Sequence, residues 1–400
     1  MVERHSRLTE LDVLRGLAVA GMIVVTSPGD WNRAYWPLKH ADWNGWTAAD
    51  MVFPTFLFSV GMALGLSFPH AIVTKADRDR LWLRIGRRTV ALIALGLALN
   101  AIYVMTISAG APAPGHGGLA NIRIPGVPQR IGLCYLFAAA LVLATARKDA
   151  RTFYSVNGPA IFRVIVTVLV LYFLAITFVP VPGYGAGHLD PEGSLPAYID
   201  RAIFTVPHLW QFGFKVWAGP VIYDPEGLLS TLPATTNVLF GVLAARAWRL
   251  APERAVPRIA VAGALLILVG LLFDPLTPIN KRLWTSSFAL LSSGVSALGL
   301  SSFALLLRSK IADPLLTPLK VLGGNAVLAF TISILWGYFY GWPLLHRDGA
   351  LVSPQKWIDD LVLRILPNAY LASLTCALGV LAVITILILP LHRRAIHFRL

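Results

Sequence analysis

The chain has 400 residues, of which 56% are hydrophobic and only 14% are charged, and its formal net charge is +14. Because soluble domains carry about 25% charged residues, this composition excludes an ordinary soluble protein and indicates a polytopic membrane protein. The basic residues lie in short clusters between apolar runs, which is the pattern of membrane-orientation signals and excludes a nucleic-acid partner.

The apolar runs predict the membrane segments. A helix crosses a bilayer with about 20 apolar residues, and ten runs of the sequence approach that length: 11–27, 46–68, 84–107, 127–146, 161–180, 228–247, 256–273, 284–307, 318–340 and 368–391. We therefore predict one all-α domain over residues 1–400 with about ten transmembrane helices. The first run is one of many and has no A-x-A-like cleavage site after it, which favours a retained helix over a signal peptide.

Charge predicts the orientation of these helices. Ten crossings place both termini on one side of the membrane, and that side carries most of the 34 lysines and arginines. By the positive-inside rule this side is cytoplasmic. The outer side then receives the long loops, at residues 28–45, 108–126, 181–227 and 341–367. Aromatic and histidine residues of the loop 181–227 predict either an interfacial belt or flat faces for a sugar ring: Tyr184, His188, Tyr198, His208, Trp210, Trp217 and Tyr223.

The two cysteines, Cys134 and Cys376, both lie in apolar runs. Disulfide frameworks are typical of small secreted domains with several cysteines, and thiolate metal sites are typical of closely spaced cysteine motifs. We therefore expect neither, and no metal cofactor is predicted.

Titratable residues meet an apolar run at the second predicted span, in PLKHADWNGWTAADMVFPTFLF, residues 37–58. His40 and Asp42 precede the span at the outer side, and Asp50 lies within it. An imidazole accepts and returns a proton near neutral pH, whereas an unpaired carboxylate at this depth is costly. We predict that Asp42 or Asp50 orients His40, with Gly45 making the required turn. The alternative is a solvated His40 and an Asp50 that snorkels or caps its helix.

Other polar residues lie at the outer starts of three further helices: Arg123, Gln129 and Arg130; Asp224 and Glu226; and Asn280, Lys281 and Arg282. Polar groups at membrane depth indicate functional sites, so these clusters and His40 together predict a shared polar chamber. Helix capping is the alternative for any single cluster. Asn325 lies inside the ninth span beside two glycines, where helix packing explains the pattern as well as binding does.

Six motifs stand in order along the chain: LDVLRGLAVAGMIVV, KHADWNGWTAADMVFP, RIPGVPQRIGLCY, YDPEGLLSTLPA, INKRLWTSS and LGGNAVL. Together they resemble the heparan-α-glucosaminide N-acetyltransferase family, whose bacterial members include NagX-like proteins. The resemblance implies a multi-pass acyltransferase that moves an acetyl group from acetyl-CoA to the amine of glucosamine or a glucosamine-containing sugar. It also implies a homodimer in the cell inner membrane, with the lipid bilayer, acetyl-CoA and an amino sugar as partners.

The resemblance also implies roles for individual residues. The family's catalytic histidine lies in the motif matched by KHADWNG, which implies that His40 is catalytic; our own hypothesis for the mechanism is that Asp50 orients it. The family's asparagine after the first helix aligns with Thr26, whose hydroxyl lacks the paired groups of an amide. This departure leaves the acceptor open. The predicted substrate- or cofactor-binding residues are Thr26, Asp42, Arg123, Gln129, Arg130, Glu226, Asn280, Lys281 and Asn325.

Two mechanisms remain open. His40 either takes a proton from the attacking amine, which is favoured, or carries the acetyl group itself. The phosphates of CoA are expected near arginines, either on the cytoplasmic side or on the outer side: Arg84, Arg87 and Arg88, or Arg123, Arg130 and Arg282. Two other functions also fit the sequence. One is an amino-sugar transporter, and the other is an acyltransferase acting on another cell-envelope glycan.

Overall fold

The computed structural model describes residues 8–67, 75–107, 118–148, 154–211, 223–309, 311–347 and 349–398. Its helices, numbered α1 to α14, are Thr9–Thr26, Ala48–Ser67, Lys75–Ile107, Val127–Thr145, Gly158–Phe178, Leu195–Phe204, Thr231–Leu250, Pro252–Phe273, Ser286–Leu306, Ala312–Leu315, Thr317–Gly324, Ala326–Gly341, Pro354–Ile365 and Ala369–Arg393. Two short antiparallel hairpins pair β1 (Arg147–Lys148) with β2 (Tyr154–Ser155) and β3 (Leu345–Arg347) with β4 (Ala350–Val352). The predicted all-α fold class is confirmed.

Each of the ten predicted segments is helical in the structure. By length and hydropathy, seven helices of the described residues qualify as membrane spans, namely α2, α3, α4, α5, α8, α9 and α14. The helices α11 and α12 qualify only as a pair, bent by 89°, which raises the count to eight. The helices α1 and α7 do not qualify, because charged or polar residues interrupt their apolar runs. The chain is a polytopic membrane protein. By these criteria its described residues contain seven or eight candidate spans, fewer than the ten predicted.

The chain forms two compact units. Unit 1 comprises Met1–His40, Thr47–Ser59 and Ser296–Arg399. Within it, α1 packs on α11 and α14. A Cβ atom on Gly16 would lie 1.9 Å from the Leu319 carbonyl oxygen, and one on Gly323 would lie 1.8 Å from the Asp12 carbonyl oxygen. Small residues permit this close approach of membrane helices, so the packing role predicted for the glycines beside Asn325 is confirmed at Gly323.

Unit 2 comprises Ala41–Trp46, Val60–Val295 and Leu400. Its helix α7 packs on α4, α5 and α8. Inside the unit, the buried Asn237 of α7 donates hydrogen bonds to Ser292 and Ser293 at 3.0 and 2.8 Å, and it accepts one from Trp284 Nε1 at 2.9 Å. A buried polar network with its partners in place fixes how helices pair. These contacts therefore set the register of α7 against α9.

Two predicted outer loops fall partly outside the described residues, at 108–117 and at 212–222, and the second of these segments includes Trp217. The rest of the loop 181–227 contains α6, and the loop 341–367 contains the β3–β4 hairpin and α13. Both of these loops therefore carry regular structure between the helices that they join.

Candidate active site

His40 and Asp50 form a hydrogen-bonded pair within unit 1. Nδ1 of His40 lies 2.8 Å from Oδ1 of Asp50. The Asp50 side chain is 1% exposed and the His40 side chain is 41% exposed, so a buried carboxylate orients a partly exposed ring. Of the two carboxylates that the sequence left open, Asp50 is the partner of His40, while Asp42 is exposed.

The same carboxylate stabilises the start of α2. The backbone N–H of Thr47, one residue before the helix, donates to Oδ2 of Asp50 at 3.0 Å, which is one half of a capping box. The Thr47 hydroxyl donates to the Lys39 carbonyl oxygen at 2.6 Å, and this contact ties the turn before His40 to the helix. Both sequence alternatives for Asp50 therefore hold, because one oxygen caps α2 and the other holds His40.

This pairing determines which nitrogen of His40 is basic. An ionised Asp50 accepts a hydrogen bond, so the proton of the neutral imidazole lies on Nδ1 and the lone pair lies on Nε2. A second proton at Nε2 makes an imidazolium, which the carboxylate 2.8 Å away stabilises. The pair thus has the arrangement of a general base and its orienting carboxylate.

The segment after His40 is held within unit 2 by the turn that precedes α9. Gly45 has a φ of +97°, which favours glycine, and its N–H donates to the Ile279 carbonyl oxygen at 2.7 Å. The Asn280 amide donates to Asn44 Oδ1 at 3.0 Å and accepts a backbone N–H at 2.9 Å. The turn predicted at Gly45 is confirmed. Since both groups of its amide are engaged inside the protein, Asn280 positions the 41–46 segment.

A buried ionic cluster joins the RIPG and DPEG motifs in unit 2. Arg123 donates to the two oxygens of Asp224 at 2.8 and 2.5 Å, and to Glu226 at 2.5 Å. Burial lowers the pKa of Arg123, but the two carboxylates outweigh burial and raise it above its ordinary value. Burial raises the pKa of Glu226, but Arg123, Arg130 and Lys281 outweigh burial and lower it. The Arg123–Glu226 pair is therefore ionised at neutral pH.

Arg130 lies in the first turn of α4 and is 1% exposed. Its Nη2 donates to Gly227 O and Ser230 Oγ at 3.0 and 2.5 Å, and its guanidinium lies 5.1 Å from the Trp284 ring centroid. Its Nε and Nη1 have no hydrogen-bond acceptor within the described part of the chain. The neighbouring Gln129 donates to a backbone carbonyl at 3.1 Å. Arg130 therefore retains donors for a bound group, whereas the amide NH₂ of Gln129 is engaged with the backbone.

Two predicted binding residues of unit 1 make backbone contacts. The Thr26 hydroxyl, at the end of α1, donates to the Met22 carbonyl oxygen at 2.8 Å. The Asn325 amide lies at the break between α11 and α12, where it donates to Ile396 O at 3.1 Å and accepts from Phe398 N at 2.8 Å. Asn325 therefore holds the C-terminal segment at the helix break, and the Thr26 oxygen keeps its acceptor capacity.

The structure distributes the predicted site residues over the two units. Unit 1 holds Thr26, His40, Asp50 and Asn325, and unit 2 holds Asp42, Arg123, Gln129, Arg130, Glu226, Asn280 and Lys281. Thr47 was not predicted, although its T-x-x-D spacing before an apolar run is a helix-start signal. Asn44 was not predicted either, because no local pattern relates it to Asn280, 236 positions away.

A second His–Asp pair lies in the loop 181–227 of unit 2. His188 Nδ1 is 3.2 Å from Asp190 Oδ2, and these side chains are 43% and 35% exposed. The two pairs therefore differ in burial, because the carboxylate of Asp50 is buried and that of Asp190 is solvated. Over the described ranges, no group of three or more His, Cys, Asp or Glu side chains is arranged to hold a metal ion.

Comparison with known proteins connects this geometry to a family. A family model described as "Heparan-alpha-glucosaminide N-acetyltransferase, catalytic" matches residues 7–111, a range that contains His40 and Asp50. The Homo sapiens protein named heparan-alpha-glucosaminide N-acetyltransferase is 29% identical in an alignment of 399 positions that covers 88% of this chain and 58% of that protein. The Mus musculus protein of the same name is 29% identical in an alignment of 404 positions with the same coverages. The chain thus spans 58% of the length of these relatives, and the predicted family resemblance is confirmed.

Proposed function

We propose that this chain is a membrane-embedded acetyltransferase that moves an acetyl group from acetyl-CoA to the amine of glucosamine, or of a glucosamine-containing sugar, at the outer side of the membrane. The observation that carries the proposal is the buried Asp50 carboxylate 2.8 Å from the His40 imidazole, inside the segment that the family model matches. The name of the relatives specifies acetyl transfer to the nitrogen of a glucosaminide.

In this proposal His40 is the general base. The acceptor amine attacks the thioester carbonyl carbon, the N–C bond forms, and Nε2 of His40 takes a proton from the amine nitrogen. Collapse of the tetrahedral intermediate breaks the C–S bond, and the proton on His40 passes to the CoA thiolate. Asp50 stabilises the imidazolium between these two transfers. Direct transfer is favoured over an acetyl-histidine, because only a proton acceptor is required once amine and thioester are held together.

The remaining site residues are proposed to contact the two substrates or to position the residues that do. Arg130 and Lys281 offer donors for negatively charged groups such as the CoA phosphates, and the two buried N–H groups of Arg130 without a protein acceptor support this role. The cytoplasmic cluster of Arg84, Arg87 and Arg88 is the alternative phosphate site. Asn280 and Asn325, whose amides are engaged with the protein, are proposed to position the chain.

We further propose ten crossings, with both termini in the cytoplasm, in the cell inner membrane, and a homodimeric state. The helical structure of all ten segments supports the crossings, and the charge distribution supports the orientation. Since both native cysteines are buried, single cysteines introduced into loops report the side. We expect Asp42→Cys to react with an impermeant maleimide from outside, and Arg394→Cys to react only after the membrane is opened. The reverse pattern contradicts the orientation.

A second candidate function is transport of an amino sugar. The observation in its favour is the α11–α12 pair, broken at Asn325 with an 89° bend, because interrupted helices form the substrate sites of many transporters. Uptake of labelled glucosamine into proteoliposomes without acetyl-CoA distinguishes this function from acetyl transfer. Uptake that the acetyltransferase-dead His40→Ala protein retains supports the transporter.

The test of the proposed function is mass spectrometry of the products formed from acetyl-CoA and a panel of amino sugars and cell-envelope glycans. We expect N-acetylated glucosamine with the wild-type protein and none above background with His40→Ala. The matched control is His188→Ala, which removes the solvated His–Asp pair and is expected to retain activity. Acetylation of another glycan alone supports the alternative acceptor. A fully active His40→Ala protein refutes the assigned base.

A further inference from the structure

Helix α3 of unit 2 is longer than a bilayer is thick, and its first half carries a row of arginines. Its 33 residues extend about 50 Å at about 1.5 Å per residue, whereas the hydrocarbon core is about 30 Å thick. Arg80, Arg84 and Arg87 follow one another at spacings of four and three residues, so they lie on one face of the helix. All three residues are exposed. This row is called here the arginine stripe.

The packing of α3 on α4 sets the depth of the arginine stripe. The Arg88 guanidinium lies 4.6 Å from the ring centroid of Tyr135, which is near the middle of α4. The Asn100 amide donates to the Arg123 carbonyl oxygen, before the start of α4, at 2.7 Å, so the two helices run antiparallel. Since α4 qualifies as a membrane span, Arg84, one turn before Arg88, lies beside the apolar second half of a span.

Guanidinium groups at this depth are costly unless an anion or water accompanies them. Arg80, Arg84 and Arg87 form no ion pair within the described part of the chain. The Nε atom of the neighbouring Arg88 is buried and has no acceptor there either. The protein residues that the structure describes therefore leave the positive charge of the stripe uncompensated.

The same face of α3 becomes apolar beyond the arginine stripe. After Arg87 it continues through Val90, Ala94, Ala98 and Met105, which are all exposed, and Val90 and Met105 are 65% and 69% exposed. An exposed apolar face on a membrane span contacts lipid acyl chains. The face thus has guanidinium donors at one end and hydrocarbon along the rest.

A phospholipid matches both parts of this face. Its phosphate accepts charge-assisted hydrogen bonds from guanidinium groups, and its acyl chain lies along the apolar residues. The nucleotide of CoA matches the arginines but is too polar for the apolar continuation. A headgroup with net negative charge is favoured over a zwitterionic one, because the carboxylates of this part of α3, Asp77 and Asp79, precede the stripe.

We infer that the arginine stripe and the apolar face that continues it bind an anionic phospholipid, with the phosphate at Arg84 and Arg87 and an acyl chain along Val90 and Ala94. The inference goes beyond the proposed acetyltransferase function and does not depend on it. One competing explanation is an orientation signal whose arginines are solvated and bind no particular lipid. The other is a site for the CoA phosphates.

Lipid binding to the purified, delipidated protein tests the inference. Native mass spectrometry measures the Kd for phosphatidylglycerol and for phosphatidylcholine with the same acyl chains. We expect tighter binding of phosphatidylglycerol, and we expect Arg84→Gln and Arg87→Gln each to weaken it about fivefold without changing the Kd for phosphatidylcholine. Arg163→Gln is the matched control, since Arg163 is exposed and is the one arginine of the span α5. Equal affinity for the two lipids, unchanged binding of phosphatidylglycerol in both stripe variants, or an equal effect of Arg163→Gln overturns the inference.

A second measurement uses the wild-type protein, in case a glutamine variant does not fold. Phosphatidylglycerol with a photoactivatable diazirine in one acyl chain is crosslinked to the protein, and the modified peptides are identified by mass spectrometry. We expect modification of the α3 peptide that contains Val90, suppressed by excess phosphatidylglycerol and not by phosphatidylcholine. Modification that avoids α3 overturns the inference. Suppression by free CoA, together with weaker CoA binding in Arg84→Gln, assigns the arginines to CoA and overturns it as well.

Discussion

Replacing Asp50 by Asn tests the proposed catalytic role of the His40–Asp50 pair. The Thr47 N–H lies 3.0 Å from Oδ2 and needs an acceptor, so the amide oxygen takes that position and the amide NH₂ faces His40 Nδ1, 2.8 Å away. Nδ1 must then accept, which moves the ring proton to Nε2 and removes the lone pair that takes the amine proton. General-base catalysis contributes about 10²–10⁴-fold. An Asp-to-Asn change that enforces the wrong tautomer in a Ser-His-Asp triad costs about 10⁴. We therefore expect kcat to fall by about 10²–10⁴-fold, with the KM for acetyl-CoA little changed.

The assay is transfer of radiolabelled acetyl from acetyl-CoA to glucosamine by the purified protein. The matched control is Asp190→Asn, which alters the second His–Asp pair at 3.2 Å, where the carboxylate is 35% exposed. We expect this control to retain the wild-type kcat. An Asp50→Asn protein with wild-type kcat refutes the tautomer mechanism, and an equal loss in Asp190→Asn refutes the choice of pair.

Three further predictions concern stability, measured by thermal unfolding in detergent. Burial raises the pKa of Asp200 to about 7, so its contribution to stability is present below about pH 4 and is lost, by about 4 kcal/mol, as the pH rises through 7. Asp200→Asn, which keeps the oxygen that accepts from Leu228 N at 2.8 Å, should remove that loss between pH 4 and 8; an unchanged pH dependence contradicts the assignment. Gly323→Ala puts a Cβ 1.8 Å from a carbonyl oxygen of α1 and should cost about 1–3 kcal/mol or more, whereas Gly337→Ala, with nothing within 4 Å, should be near neutral. Arg123→Ala leaves two carboxylates without their cation and should cost about 3–5 kcal/mol; a loss under 1 kcal/mol shows that the cluster is solvated.

The helices were predictable because their signal is local. Runs of about 20 apolar residues predict a membrane helix whatever else the chain does, and all ten predicted segments are helical. The break at Asn325 was not predicted, because a "GGN" inside an apolar run fits continuous packed helices equally well. The 89° bend at this position coincides with tertiary contacts. The Asn325 amide forms hydrogen bonds with the backbone of Ile396 and Phe398 at the point where α11 ends.

The candidate site was predictable in its residues and only partly in its contacts. His40 and Asp50 stood out because titratable groups beside an apolar run are costly, but the sequence left Asp42 as a second candidate for the partner of His40. The choice depends on backbone geometry. The positive φ of Gly45 and the capping contact at Thr47 set the turn that brings position 50 back to position 40. The contact between Asn44 and Asn280 joins residues 236 positions apart, which no local pattern encodes.

The double use of Asp50 explains how a charged group is kept at the edge of a membrane helix. A carboxylate buried to 1% exposure is costly unless its oxygens are hydrogen-bonded. Here one oxygen accepts the Thr47 N–H that starts α2, and a carboxylate in the first turn is also favoured by the helix dipole. The helix start thus offsets much of the desolvation, and the other oxygen remains available to hold His40. Because Asp50 is anchored in the first turn of a helix, its second oxygen holds the imidazole in a defined orientation. For that reason a T-x-x-D motif whose aspartate lies ten residues after a histidine is a better sequence signal for this pair than the histidine alone.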